Sequence, residues 1–345
     1  MPLGVTIPQV IERCATAAGW QVTGMEAGAA GRPYVAARRA VAPELAETSS
    51  PHLKRGIGFA AAFKNVGFSF GAPEKCIAEV ELRGDVEIEE VIVRHSAAEV
   101  GQGVHTVLAI AAAEAIGVPL EKVRLVVSDT AYTGNSGSVS ASRMTFMAGN
   151  AVKGACEAAL AKWRVEERPA IAEFQYVPPR TTPMDPMTGY CDPNFSYGYV
   201  AQAVVVEVDT ETGMVRLVDV ISTNDVGRAM NPQQVVGQIE GAVVQGMGYG
   251  LMENFIQKDG YVQTQHLSTY LIPTILDIPE HIESLVVEYP DPIGPWGARG
   301  MGEMPLMPLV PAITHAIHNA IGVWFYEFPI TPERVLRGLG KIPSN

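Results

Sequence analysis

Between residues 76 and 95 the chain alternates apolar with polar side chains, CIAEVEL and then VEIEEVIVRH, around Arg83-Gly84-Asp85. A period of two turns one face of each segment to a core and the other to water, so the pattern predicts strands at 76–82 and 86–95 joined as a hairpin. The alternation returns at 198–209 and 213–224, which flank the turn signal Asp209-Thr210-Glu211-Thr212-Gly213. Helical spacing is found at 7–18 with Thr6 as cap, at 33–47, and from Thr106 to about Ile116. It recurs after Ser138-Val139-Ser140-Ala141-Ser142 as far as about Trp163, and over 233–255 behind an Asn231-Pro232 start. Strands at 122–128 and 283–288, a helix near 308–321 and a last helix capped at Thr331-Pro332 complete the series. Residues 164–197, rich in Pro, Thr and Asp, read as a long crossover loop. The mixed order gives an α+β fold of two mixed α/β subdomains, 1–165 and 166–345, without a repeat of solenoid period.

Glycine-rich and small-residue segments stand where these elements begin. Gly101-Gln102-Gly103 lies between a strand and a helix, an arrangement that points a helix N-terminus and its unpaired N–H groups at a ligand. The small residues at 138–142 open a second such site ahead of the long helix. Glycines 237, 241, 246, 248 and 250 weaken the 233–255 helix in isolation and predict close packing against backbone or cofactor. Near the C-terminus, Gly297-Ala298-Arg299-Gly300-Met301-Gly302-Glu303-Met304-Pro305 sets one carboxylate in a glycine-rich loop just before an apolar segment that reads as a helix start. Glu303 is the prime candidate for an acid/base group.

With 345 residues, of which 47% are hydrophobic, the chain can bury a large core. A net charge of −12 without a Lys/Arg cluster argues against nucleic acid or an anionic membrane as partner. Cys14, Cys76, Cys156 and Cys191 stand far apart, so no pattern for zinc or an Fe–S cluster is present. His105, His315 and His318 lack ligand company at the right spacing and read as structural. The N-terminal segment lacks the features of a signal peptide and no apolar run is long enough for a membrane span, so cytoplasmic residence is expected. No GxxxxGK[ST] motif supports a P-loop nucleotide enzyme.

Taken together, EVGQGVHT (99–106), ASRMTFMAGNAV (141–152), NDVGRAMNPQQVVGQIEGAVVQGMG (224–248) and GARGMGEMPL (297–306) resemble the molybdenum-cofactor domain of the xanthine dehydrogenase/aldehyde oxidase family of molybdenum hydroxylases. The likeness runs in order from roughly residue 7 to 339 and covers the C-terminal half of that family's molybdenum region. The GGGFGG-type loop and the Arg-containing loop of the other half have no counterpart here. The arrangement is most similar to the split molybdopterin subunit of nicotinate dehydrogenase-type enzymes.

The resemblance implies hydroxylation of an electron-poor carbon, in an N-heterocycle such as nicotinate or a purine-like ring or in an aldehyde. Water supplies the oxygen, hydride passes to molybdenum, and electrons leave through Fe–S clusters and FAD on partner subunits. Glu303 would be the general base, in a pocket that raises its pKa toward neutrality. Gly101, Gln102, Gly103, Ala141, Ser142, Thr145, Gln245, Gly246 and Gly302 would contact the molybdopterin, expected in its cytosine dinucleotide form, whose dithiolene sulfurs hold the molybdenum without protein ligands. The implied partners are a second molybdopterin subunit with the N-terminal half of the region, an Fe–S subunit, an FAD subunit and a small-molecule substrate. A molybdopterin-binding or assembly protein without turnover is the alternative reading.

Overall fold

The strand YGYVAQAVVVEVD is buried along most of its length, and helices cover it on both sides, as a strand buried on two faces requires. The computed structural model describes residues 4–23, 39–41 and 43–343. In chain order its elements are α1 (Ile7–Ala17), β1 (Gln21–Thr23), β2 (Arg39–Val41), β3 (Leu53–Asn65), β4 (Cys76–Arg83), β5 (Glu90–His95), α2 (Val104–Ile116), β6 (Val123–Val127), α3 (Met144–Arg164) and β7 (Ala170–Tyr176). There follow β8 (Tyr197–Asp209), β9 (Val215–Asp225), α4 (Pro232–Met247), β10 (Gln257–Lys258), β11 (Tyr261–Val262), α5 (Leu267–Tyr270), β12 (His281–Val287), α6 (Leu309–Ile321) and α7 (Pro332–Gly338).

One four-stranded sheet has the order β12-β9-β8-β3, with β12 parallel to β9 and the other pairs antiparallel. Period two decides what each side of β8 meets. Val204, Val206 and Val208 pack against Leu309, Ile313 and Ile317 of α6, whereas Tyr199, Ala201 and Ala203 pack against Val10 and Cys14 of α1. The spacing of three and four on α6 is the apolar stripe of a core-facing helix.

The second sheet has the order β6-β5-β4-β7. Helix α2 connects β5 to its parallel neighbour β6, and α3 leads to the edge strand β7. Val80, Leu82, Val91 and Val93 share one core with Leu108 of α2 and with Ala148, Ala151, Ala155 and Ala159 of α3. That run of alanines is why α3 can lie close to the sheet.

The expected α+β architecture is present, and four details differ. The 76–95 hairpin forms, but its second strand begins at Glu90. The 164–197 crossover contains β7, whose thin alternation hides an edge strand. Helix α4 stops at Met247 and passes into a single π-helical turn, Gly248–Met252. Of the helix expected at 33–47, residues 33–38 and 42 lie outside the described residues, and 39–41 form β2, paired with β1. The strands also interleave across residue 165. β3 joins β8 in the first sheet, and β7 joins β4 in the second.

Candidate functional site

Two fully buried arginines fix the loops that form the site. Arg143, at the start of α3, pairs with Glu74 at 2.7 Å and donates to the carbonyls of Ser136, Ser138 and Lys75, tying the small-residue loop to the entry of β4. Arg299 lies between Asp225 and Asp291, 3.4 Å from each, and donates to the carbonyls of Tyr197, Tyr289 and Gly4. Asp225 also accepts from Thr6 Oγ1 and from the N–H groups of Gly227 and Tyr289. Burial makes such charges tolerable only when each is paired and hydrogen-bonded, and here the partners span the N-terminal segment, β9 and the Glu303 loop.

The Glu303 loop lies between a strand and a turn that leave it room. At Gly198 of β8 a Cβ would stand 2.8 Å from the Gly300 carbonyl and 2.7 Å from Met304 Sδ, and at Gly300 a Cβ would stand 1.9 Å from the Ser142 carbonyl. Side chains at either position would push the loop away. Ala141 and Ser142 have φ of 50° and 51°, a left-handed turn that aims the Ser142 hydroxyl at the loop. Ser142 Oγ donates to Glu303 Oε2 at 3.0 Å and accepts from the Glu303 N–H at 3.0 Å. Lys64 Nζ lies 3.2 Å from the same carboxylate oxygen. The buried pocket expected around Glu303 is absent from this chain taken alone, because its side chain is 53% exposed. Nor does the loop open a helix directly, since α6 begins only at Leu309.

The loop borders a cleft of about 260 Å³ between the starts of α2, α3 and α4. Gln102, Ser142, Thr145, Gly302 and Glu303 all line it. Gly101, Gly103 and Ala141 sit beside lining residues without lining it themselves. The GQG loop differs from the expectation in its donors. Glu99 accepts from the N–H groups of Gly101, Gly103 and His105 at 3.0, 2.8 and 3.1 Å, so it caps α2 and occupies amides expected to face a cofactor. Burial works to raise the Glu99 carboxyl, but these three bonds outweigh it and hold its pKa below the usual range. The Gln102 side chain bridges Val100 N–H and the Ala98 carbonyl.

Gln245 and Gly246 lie elsewhere. Gln245 is exposed on α4 beyond the cleft, and a Cβ at Gly246 would stand 2.8 Å from Leu309 Cδ2, so this glycine lets α4 pack on α6. The part of α4 that does reach the cleft is its first two turns, through Gln234 and Gln238. Gln234 Oε1 is buried without a hydrogen-bond partner, and α3 starts without a side-chain cap. Arg228 lines the cleft with its side chain exposed and makes no ion pair seen among the described residues. The helix-start N–H groups and the guanidinium fit the anionic part of a cofactor such as a pterin phosphate, and the one orphaned acceptor fits a donor on it. The spacing of Gln234 and Gln238, four apart on one helix face, was a readable signal; Lys64, on a distant strand, gave none.

The histidines serve the fold. His105 Nε2 meets the Ala97 carbonyl, His315 Nδ1 accepts from Phe59 N–H, and His318 stacks on Trp324 at 4.1 Å. Among the described residues no group of three His, Cys, Asp or Glu side chains is placed to hold a metal ion, and no helix is long and apolar enough to cross a membrane.

His95 is fully buried with Cys76 Sγ 3.3 Å from its Nε2 and the Ala97 N–H donating to its Nδ1. Burial, with His105 and Arg143 nearby, pushes its pKa down to about 4. The folded state therefore binds this proton less readily than the unfolded state, whose imidazole titrates near 6.5. Stability from this residue is complete above about pH 6.5 and falls as pH drops toward 4, by on the order of 3 kcal/mol at most. Denaturation series at pH 7 and pH 4.5 should show this loss in the wild type and a smaller one in His95→Gln; equal losses would refute it.

The family model described as the molybdopterin cofactor-binding domain matches residues 30–168 and 158–279. The chain is 30% identical over 336 residues to a probable xanthine dehydrogenase subunit of Bacillus subtilis, covering 87% of this chain and 44% of that one. It is 30% identical over 305 residues to the gamma subunit of the 6-hydroxypseudooxynicotine dehydrogenase complex of Paenarthrobacter nicotinovorans, covering 75% of this chain and 38% of that subunit. The crystal structure of the aldehyde oxidoreductase from Desulfovibrio desulfuricans superposes with a TM-score of 0.77 at 32% identity, over 84% of this chain and 33% of that one. The chain thus spans less than half the length of these relatives. It belongs to the molybdopterin cofactor-binding domain family, the family of the xanthine dehydrogenase and aldehyde oxidoreductase molybdenum subunits.

Proposed function

We propose that this chain forms one wall of a molybdenum-cofactor site and supplies its proton acceptor, within an oxidoreductase that hydroxylates an N-heterocycle, such as a nicotinate- or purine-like ring, or an aldehyde. The observation that carries the reading is the placement of the Glu303 carboxylate, held by Ser142 and Lys64 on the rim of a cleft whose other walls present Arg228, Gln234, Gln238 and the start of α3. Once bound, the cofactor supplies the two-electron oxidation that protein side chains cannot. Arg228 and the N–H groups of α3 hold its anionic part, for which the cytosine dinucleotide form is our reading, and Gln234 meets a donor on it. Glu303 takes the proton released as the solvent-derived oxygen attacks the substrate carbon.

A second polypeptide completes the site in this reading. The relatives carry more than half of their length outside the matched region. Around residues 267–278 this chain also displays Leu267, Leu271, Ile275 and Leu276 to solvent, the last at 92% exposure. Exposed aliphatic runs of that kind mark interfaces. The Fe–S clusters and FAD would belong to further cytoplasmic partners, since the four cysteines are dispersed along the sequence and Cys14, Cys76 and Cys156 are buried in hydrophobic cores. The test is to purify the native complex and offer it aldehydes and N-heterocycles in heavy-oxygen water. Product carrying solvent oxygen is the expected result; a complex loaded with molybdenum and pterin that turns over none of them would favour a storage or assembly role.

A further inference from the structure

The geometry points to Lys64 as the positioning residue that turns Glu303 for proton transfer, an inference that rests on Glu303 being the proton acceptor. Lys64 is the penultimate residue of β3 and stands opposite Gly198 in register, the position that admits the Gly300 carbonyl and Met304. The strand pairing that lays the loop on β8 therefore also delivers an ammonium beneath it. The ammonium donates to the Asn65 carbonyl and to Asn65 Oδ1, each at 3.0 Å, and so held it stands 3.2 Å from Glu303 Oε2 as an ion pair. Asn65 is held in turn, its Nδ2 donating to the Gly67 carbonyl and to Ser69 Oγ. The Lys64 side chain is only 16% exposed, so water competes weakly for it.

The result is an asymmetric carboxylate. Oε2 receives Lys64 and the Ser142 hydroxyl, whereas Oε1 has no hydrogen bond among the described residues. A carboxylate whose one oxygen is fixed from two directions presents the other in a set orientation, and Oε1 is the atom that accepts the proton. Losing the ammonium leaves Ser142 as the sole side-chain tether and lets the group rotate. Misplacement by about an ångström costs up to about 10²-fold in rate.

The experiment compares Lys64→Met in two backgrounds of the assembled, molybdenum-loaded complex, reading steady-state turnover per molybdenum. In the wild-type background Lys64→Met should lower kcat by roughly 10- to 100-fold with KM and molybdenum content little changed, and Lys64→Arg should recover most of the loss. In the Glu303→Gln background the same change should cost less than about 3-fold, because the group it positions is gone. Equal losses in both backgrounds, or no loss in the first, would overturn the inference. Should Lys64→Met fail to load molybdenum, the two-background comparison is made with Lys64→Arg, whose smaller loss must likewise vanish beside Glu303→Gln. A Glu303→Gln complex that turns over normally is a different failure, that of the proton-acceptor reading itself.

Discussion

Glu303→Gln should lower hydroxylation per bound molybdenum by roughly 10²–10⁴-fold for every substrate the complex accepts, with cofactor content near that of the wild type. The substitution keeps the shape of the side chain and can still meet Ser142 Oγ, which hydrogen-bonds the present carboxylate, beside Lys64 Nζ, which pairs with it. It cannot accept a proton at neutral pH. Cofactor content should hold because the groups proposed to retain it, Arg228, Gln234 and the start of α3, lie on other walls of the cleft. Reduction of the Fe–S and flavin centres proposed for the partner subunits should persist with an artificial donor. A variant that keeps a third of wild-type turnover at full molybdenum occupancy would remove Glu303 from the role of base.

Arg299→Met should be the most destabilising single change near the site, by about 3–5 kcal/mol in chemical denaturation. Methionine fills much of the same volume but leaves Asp225 and Asp291, which are 0% and 5% exposed, without their common cation. It also strands the carbonyls of Tyr197, Tyr289 and Gly4, each of which now accepts from the guanidinium. A domain with the usual stability of about 5–15 kcal/mol would lose roughly a fifth of it or more. A loss below about 1 kcal/mol would show that the two aspartates find other partners, and that Arg299 does not hold the loop.

What could be read in the sequence was local. The hairpin of β8 and β9 was legible because strict alternation flanked a turn, and α4 because Asn231 and Pro232 announced its start; Asn231 Oδ1 does accept from the Gln234 N–H. β7 was not, because AIAEFQY is an edge strand with little buried surface inside a Pro-rich stretch. The Glu303 loop could be picked out as a candidate site, but its partners could not. Ser142 is 161 positions away and Lys64 is on a strand of a different motif, so only the register of β3 on β8 and the contact at Gly300 bring them together. Gly246 marks the same limit from the other side. A helix glycine that lets a cofactor approach and one that lets another helix approach look identical in sequence, and only the structure shows Leu309 of α6 against this one. Likewise, a Gly-rich loop before a helix offers amides to any anion, and here Glu99 of the chain itself takes them.

In the proposed reading this chain supplies one wall of a molybdenum site and a second polypeptide supplies the other. Molybdenum and pterin content, measured per chain on the isolated protein and on the native complex, tests this most directly. The complex should carry close to one molybdenum per copy of this chain, and the isolated chain, in which the Glu303 side chain is 53% exposed, only a small fraction of that. Near-stoichiometric molybdenum and pterin on the isolated chain would contradict the shared site.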